Sequence, residues 1–248
     1  MIIIPMAGMS SRFFSAGFKK PKYMLEAHGK TLFEHSVNSF KNYFSTEFFL
    51  FIIRDIFDTE HFIKEKIKLL GIRNYHIEIL PYETKGQAET VAIGLNQLEK
   101  KGINYSGSIT IFNIDSFRFN FLYPDISTDC DGYLEVFIGK GENWSFAKPK
   151  SATSNEIIET AEKKAISNLC STGLYFFKEK SFFLDSFYEY SEKPLNQWDK
   201  GELYIAPLYN MMIEKGLTVK YNLINLSEII FCGTPTEYNE FLKLDYHI

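Results

Sequence analysis

The chain has three cysteines in 248 residues, and Cys130, Cys170 and Cys232 lie far apart. An odd number with no C-x-x-C pair argues against a disulfide framework or a thiolate zinc site, and it fits a reducing cytoplasm. The five histidines (His28, His35, His61, His76 and His247) never take the H-E-x-x-H spacing of a helical zinc site. A basic excess is missing too. The 27 Lys and Arg are outnumbered by 31 Asp and Glu, for a formal net charge of −4, so a nucleic-acid partner is not expected. The longest purely apolar run, Phe48 to Ile53, has six residues, against the roughly 20 needed to cross a bilayer. Met1-Ile2-Ile3-Ile4-Pro5 has no basic segment ahead of its apolar run, so neither a signal peptide nor a membrane partner is expected. No internal repeat, low-complexity tract or Pro/Gly/Ser-rich linker interrupts the chain.

What is present fits a soluble domain large enough to bury a substantial core. Aromatic residues are abundant, most of them Phe and Tyr, and they read as core with Tyr at its edges. Short apolar runs alternate with amphipathic segments, the mark of a mostly parallel sheet covered by helices. Strands are expected at Ile2–Pro5, Phe48–Ile53, His76–Leu80 and Ser108–Asn113. Helices are expected at Thr31–Tyr43, Asp58–Leu70 and Gln87–Lys101. After Asn113-Ile114-Asp115 the texture changes. Gly132–Ile138, Trp144–Lys148, Ile157–Ala161 and Leu169–Phe177 read as strands without intervening helices, hence antiparallel additions. Helices at Lys180–Tyr190 and Leu203–Lys215, a strand at Thr218–Leu223 and a closing helix at Thr234–Leu244 complete the pattern. Thr234 caps that last helix, with Pro235 at its first position. The expected fold is α/β, a single domain over 1–248 in two lobes, 1–120 and a mixed 121–248.

Charge is not evenly spread. Arg12, Lys19, Lys20 and Lys22 precede the first acid, Glu26, so the first 25 residues carry +4 and the remainder −8. They follow the first strand in the run Met6-Ala7-Gly8-Met9-Ser10-Ser11-Arg12-Phe13. A small-residue loop in that place offers backbone N–H groups to phosphate oxygens, and Arg12 and Lys22 add mobile positive charge. Two common nucleotide fingerprints fail. No G-x-G-x-x-G follows a strand, and Gly29-Lys30-Thr31 has Met24 where a P-loop needs its first glycine.

These residues resemble those of the sugar-phosphate nucleotidyltransferases. Pro5 to Phe13, with Pro21-Lys22-Tyr23-Met24-Leu25, is similar to their signature loop. The likeness continues in the family's order through Lys85-Gly86-Gln87-Ala88-Glu89-Thr90, Asn113-Ile114-Asp115, Glu162-Lys163, Gly173-Leu174-Tyr175-Phe176, Gly201-Glu202-Leu203 and Gly233-Thr234-Pro235. It covers essentially the whole chain. The resemblance implies a Rossmann-like mixed sheet of the nucleotide-diphospho-sugar transferase (GT-A-like) type. It also implies a cytoplasmic enzyme that couples a nucleoside triphosphate to a phosphorylated acceptor and releases pyrophosphate. By the same resemblance, Ala7, Gly8, Arg12, Lys22, Gly86 and Gln87 bind the nucleotide. Arg12 steadies the leaving pyrophosphate, Lys22 stabilises charge at the α-phosphate, and Asp115 binds Mg²⁺. Lys163 holds the acceptor phosphate, Glu162 a hydroxyl or amine of the acceptor, and Glu202 lies on the acceptor side. The plainer alternatives are a solvated Lys22, an Asp115 that only caps the segment after a strand, a Glu202 that is an ordinary first-turn helix acid, a Glu162-Lys163-Lys164 surface cluster, and a Gln87 that only opens a helix.

Three positions depart from the family pattern. Ser10 replaces a second loop glycine, Phe231 stands where a second metal-binding aspartate is usual, and Trp144-Ser145-Phe146 replaces a Gly-aromatic pair beside the acceptor. The last admits either an unusual sugar phosphate or a small non-sugar phosphate such as a phosphorylated amine or amino acid. CTP is slightly preferred over dTTP or UTP, and a role in capsule or other surface polysaccharide assembly is expected. The sequence is compatible with an oligomer. The alternative functions are a GT-A-type glycosyltransferase using an NDP-sugar donor, or a catalytically silent nucleotide-binding module.

Overall fold

A strand with apolar side chains on both faces must be covered on both faces, and β1 (Ile2–Pro5) is buried along its whole length. The structure is a computed structural model that describes residues 1–245, so His247 lies outside the described residues. After β1 come a short helix α1 (Ser11–Ser15), the hairpin strands β2 (Glu26–Ala27) and β3 (Lys30–Thr31), and helix α2 (Leu32–Val37). Strand β4 (Phe49–Ile53), helix α3 (Thr59–Leu70), β5 (Tyr75–Ile79), α4 (Gln87–Lys100) and β6 (Ile109–Phe112) complete the alternating part. Strands β7 (Ser116–Arg118), β8 (Gly132–Ile138), β9 (Ser145–Pro149), β10 (Ile157–Glu162) and β11 (Leu169–Phe177) then follow with no α-helix among them. Helices α5 (Lys180–Ser191) and α6 (Leu208–Glu214), strands β12 (Val219–Leu223) and β13 (Ile229–Phe231), and helix α7 (Pro235–Phe241) close the chain.

The chain folds into two compact units. One holds Met1–Ile3, Thr84–Phe112 and Tyr123–Leu226; the other holds Ile4–Glu83, Asn113–Leu122 and the chain from Ser227. In the first, the start of β1 runs parallel to β6, with Ile2 opposite Thr110. The added strands are antiparallel as expected: β11 to β6, β11 to β8, and β10 to β9. Strand β12 then runs parallel to β8. Tyr209 anchors this core, fully buried, its hydroxyl donating to the carbonyls of Tyr133 and Phe176 at 2.9 Å each. In the second unit β4 and β5 are parallel, and β7 pairs antiparallel with β13, placing Phe231 opposite Ser116. A cluster of Phe13, Leu32, Phe117, Cys232 and Phe241 fills its core.

Local expectations fail where long-range contacts decide the backbone. The helix expected over Thr31–Tyr43 leaves α geometry after Val37 and continues as a tighter turn broken at Phe40 (φ −103°, ψ 23°). Phe40 is fully buried there, edge-on to Phe121 at 5.1 Å. The helix expected over Leu203–Lys215 begins only at Leu208, because the Leu203 backbone bonds to Lys85 and Ala88 instead. Strands β7 and β13 are three residues each, too short to show alternation.

Candidate active site

In the second unit the loop after β1 is fixed at its base by the Met6 N–H, which donates to the Ile52 carbonyl at 2.8 Å. Gly8 is exposed, and a Cβ there would meet nothing within 4 Å, so its own fold leaves that face open. Ser10 is left-handed (φ 53°, ψ 30°), the conformation in which glycine costs least. Its hydroxyl accepts the Lys22 N–H at 3.1 Å, tying the loop to the Lys22 segment. The departure from a second glycine therefore preserves a glycine-like path and adds a tether. Left-handed backbone costs a serine about 1–2 kcal/mol, and the tether returns about 0.5–1.5 kcal/mol. Ser10→Gly should thus change stability by less than about 1 kcal/mol, whereas Ser10→Ala keeps the strain and loses the tether, a loss of about 1 kcal/mol. Urea midpoints of the two variants check this ordering.

Arg12 is exposed on α1, and Lys19 and Lys20 are also exposed. Lys22 is different. Its Nζ lies 2.6 Å from Asp115 Oδ2, with the two side chains 22% and 23% exposed. Asp115 sits just before β7, and its carbonyl accepts the Cys232 N–H at 2.7 Å, next to the Gly233 turn. A Cβ on Gly233 would lie 2.9 Å from Asp115 Oδ2, so only glycine leaves that oxygen clear. Burial, with the nearby charges of Glu237 and Asp115, holds the Cys232 thiol far up and protonated.

Among the described residues, no group of three or more His, Cys, Asp or Glu side chains is placed to hold a metal. Mg²⁺ does not require one, because it is usually held by one or two carboxylates together with substrate phosphates. Asp115 fits that demand: it is a hard oxygen donor, part open, already seated against a cation, and bordered by a glycine.

The first unit carries the other residues. Gly86 has φ +150°, and a Cβ there would lie 2.5 Å from the Leu203 carbonyl oxygen. Leu203 donates its N–H to Lys85 at 2.9 Å and accepts from Ala88 at 2.8 Å. Two segments distant in sequence, Lys85-Gly86-Gln87 and Gly201-Glu202-Leu203, are therefore joined backbone to backbone. Gln87 opens α4, and Glu202 is exposed.

Glu162 ends β10 and is 7% exposed. Ser145 donates its hydroxyl to the Glu162 carboxylate and also contacts the Tyr175 hydroxyl at 3.2 Å. This is the role of Ser145 in the departing Trp144-Ser145-Phe146 segment. Lys163 is left-handed (φ 53°), and its ammonium bonds to the Tyr204 hydroxyl, 4.5 Å from the Tyr204 ring centroid. Burial raises the Glu162 pKa above its ordinary 4.5; Ser145 and Lys163 oppose the rise, while Asp199 and Glu202 add to it. Asp199 is itself raised, chiefly by burial, although the Glu162 backbone N–H bonds to it.

A carboxylate raised on folding favours the protonated folded state. That contribution is full below the unfolded value and is lost as pH rises through the raised folded one. Glu162→Gln removes the ionised form and keeps an acceptor for Ser145. Relief on the order of 1 kcal/mol would raise Tm at pH 7.5 by about 2–4 °C in a chain of this size. The gain should shrink at pH 4.5. A variant less stable than the parent at pH 7.5 would show that the carboxylate's bonds outweigh its burial cost.

Sequence reading did not single out Arg54, Tyr204 or Glu237. Arg54 follows β4, and its guanidinium reaches Met9 Sδ at 2.8 Å, beside the loop. Tyr204 could have been found only through its place after Glu202. Glu237 is visible in sequence as the third residue after the cap Thr234, but only as a capping acid.

No protein-family model matches the chain, and no curated protein does. Solved structures do. The nucleoside-diphosphate-sugar pyrophosphorylase from Vibrio cholerae RC9 is 60% identical, with a TM-score of 0.96, over 98% of this chain and 100% of that one. An inositol-1-phosphate CTP transferase from T. maritima shares 14% identity and a TM-score of 0.71, over 97% and 94% of the two chains. A UDP-glucose pyrophosphorylase complexed with UDP-glucose shares 15% identity and a TM-score of 0.71, over 97% and 96%. At 14% and 15% the likeness is one of fold alone.

Proposed function

The chain belongs to the nucleoside-diphosphate-sugar pyrophosphorylase family of nucleotidyltransferases, and on that premise we propose that it joins an NTP to a small phosphorylated acceptor with release of pyrophosphate. The observation that carries the reading is the Lys22–Asp115 pair beside the open Gly8 loop. A mobile cation and a metal-type carboxylate in that place suit a triphosphate substrate. The proposal assigns Ala7, Gly8, Arg12, Lys22, Gly86 and Gln87 to the nucleotide and Asp115 to Mg²⁺. Glu162, Lys163 and Glu202 are assigned to the acceptor. On this reading residues 1–120 serve chiefly the nucleotide and 121–248 the acceptor.

A phosphate oxygen of the acceptor attacks the α-phosphorus, the new P–O bond forms, and the bond to the bridging oxygen of the β-phosphate breaks. No protein nucleophile is required, so catalysis is positioning and charge stabilisation. Asp115 would hold Mg²⁺, which would supply neutralisation of phosphate charge. Lys22 moves from Asp115 to the α-phosphate, and Arg12 holds the departing β- and γ-phosphates. Lys163, steadied by Tyr204, meets the acceptor phosphate. Glu162, fixed by Ser145, accepts from an acceptor hydroxyl or pairs with an acceptor amine.

CTP, ahead of dTTP and UTP, is the proposed nucleotide. The acceptor is a sugar phosphate or a small non-sugar phosphate, the enzyme is placed in the cytoplasm, and its product serves capsule or other surface polysaccharide assembly. Among the described residues no helix is long and apolar enough to cross a membrane. The test is pyrophosphate release from each NTP against a panel of phosphorylated acceptors with Mg²⁺. Release with one pair is the expected result. Sugar transfer from an NDP-sugar without pyrophosphate would overturn it.

A further inference from the structure

The family pattern leaves the metal with one expected carboxylate, because Phe231 replaces the other. Phe231 lies opposite Ser116 in the β7–β13 pair, next along the chain to Asp115, so the replacement falls beside the proposed metal ligand. The same turn brings in another acid. A Cβ on Gly233 would lie 2.9 Å from Asp115 Oδ2 and 3.6 Å from Glu237 Oε2. The two carboxylate oxygens are therefore separated by no more than the sum of those distances, across a position kept bare of side chain. Glu237 is held rigidly: its Oε2 accepts the Thr234 N–H at 2.8 Å and the Thr234 hydroxyl at 3.0 Å, while its own N–H donates to Thr234 Oγ1 at 3.2 Å. A cation already occupies one side of the group, the Lys22 ammonium on Asp115. One ammonium neutralises only one of two carboxylates, which leaves a seat suited to a divalent ion.

We propose that Glu237 supplies the second negative charge for the cation at Asp115, in place of the carboxylate missing at Phe231, and that Lys22 holds that seat in the metal-free enzyme. The inference rests on the assignment of Asp115 to the metal. Helix capping alone would explain the Thr234 bonds but does not require Asp115 on the far side of a bare glycine. Glutamine at the third helical position also completes a capping box. Glu237→Gln therefore separates charge from capping.

The test is an EPR titration of Mn²⁺, the paramagnetic substitute for Mg²⁺, into the full chain without nucleotide, with Tm recorded in parallel. Carboxylates that support a metal site are typically worth about 10–100-fold in affinity. Glu237→Gln should weaken Mn²⁺ at least about 10-fold with Tm held near the parent value. Gly233→Ala, which places a methyl 2.9 Å from Asp115 Oδ2, should also weaken Mn²⁺, and Lys22→Met should tighten it. If Glu237→Gln binds Mn²⁺ like the parent while Asp115→Asn does not bind, Glu237 only caps its helix and the inference is overturned. If Asp115→Asn also binds normally, the metal assignment of Asp115 falls with it.

Discussion

Lys22→Ala is expected to lower kcat by about 10²–10³, the range seen when one pre-placed donor is removed from a developing charge. The affinity for NTP should move far less. Negative charge grows on the α-phosphoryl oxygens as the new bond forms, so an ammonium aimed there stabilises the transition state more than the bound triphosphate. An interaction made mainly in the transition state lowers kcat and kcat/KM together and leaves KM for the NTP nearly unchanged. The position of Lys22 favours such a role. Its backbone is tied to Ser10 Oγ at 3.1 Å, and its side chain already points to the carboxylate proposed for the metal. Loss of the Lys22–Asp115 pair should cost little folding energy, since part-exposed pairs are commonly worth about 0–1 kcal/mol. Steady-state kinetics with each substrate varied, plus a thermal melt, check the three parts separately. An equal loss of NTP affinity and turnover would make Lys22 a general phosphate anchor.

How far the sequence could reach is clearest at this pair. Lys22 and Asp115 could be proposed separately, each from its neighbours in a run that resembles a family motif. Their direct contact could not, because nothing local in either segment refers to the other. The same holds for the backbone junction of Gly86 with Leu203, which also removed the first turn of the helix expected at Leu203. The alternating first half of the chain was legible because strands β1 and β4 are continuous buried runs and α3 and α4 have strong helical spacing. Ser10 shows the opposite limit. Its left-handed backbone is set by the loop and the Lys22 tether, whereas sequence alone would assign that conformation to glycine first. The role proposed for Glu237 has no signal in the sequence, since a Thr-x-x-Glu cap is reason enough for an acid there.

Gly86→Ala is expected to be the most damaging single-methyl change in the first unit. Two independent costs fall on it. The backbone at φ +150° is one that side-chain-bearing residues rarely adopt, which costs about 1–3 kcal/mol. The added carbon would also lie 2.5, 2.6 and 2.8 Å from the O, N and C atoms of Leu203, all backbone. Neither side can yield cheaply. Leu203 is clamped by its bonds to Lys85 and Ala88, and the Gly86 carbonyl accepts from Thr84 Oγ1 and Thr90 Oγ1 at 3.2 Å each, and from the Thr90 N–H at 3.1 Å. Relieving such a clash typically costs about 1–3 kcal/mol, so the sum is about 2–6 kcal/mol. At about 2–4 °C per kcal/mol for a chain of this size, Tm should fall by roughly 4–24 °C. Because the displaced segment Gly201-Glu202-Leu203 carries Glu202, KM for the acceptor should rise as well. Gly216→Ala is the control. Gly216 has φ +79° and open space around its Cα, so alanine there incurs the conformational cost without the collision. A much larger drop for Gly86 than for Gly216 would locate the difference in the contact with Leu203. Equal drops would mean that the junction yields, and that only the backbone angle constrains residue 86.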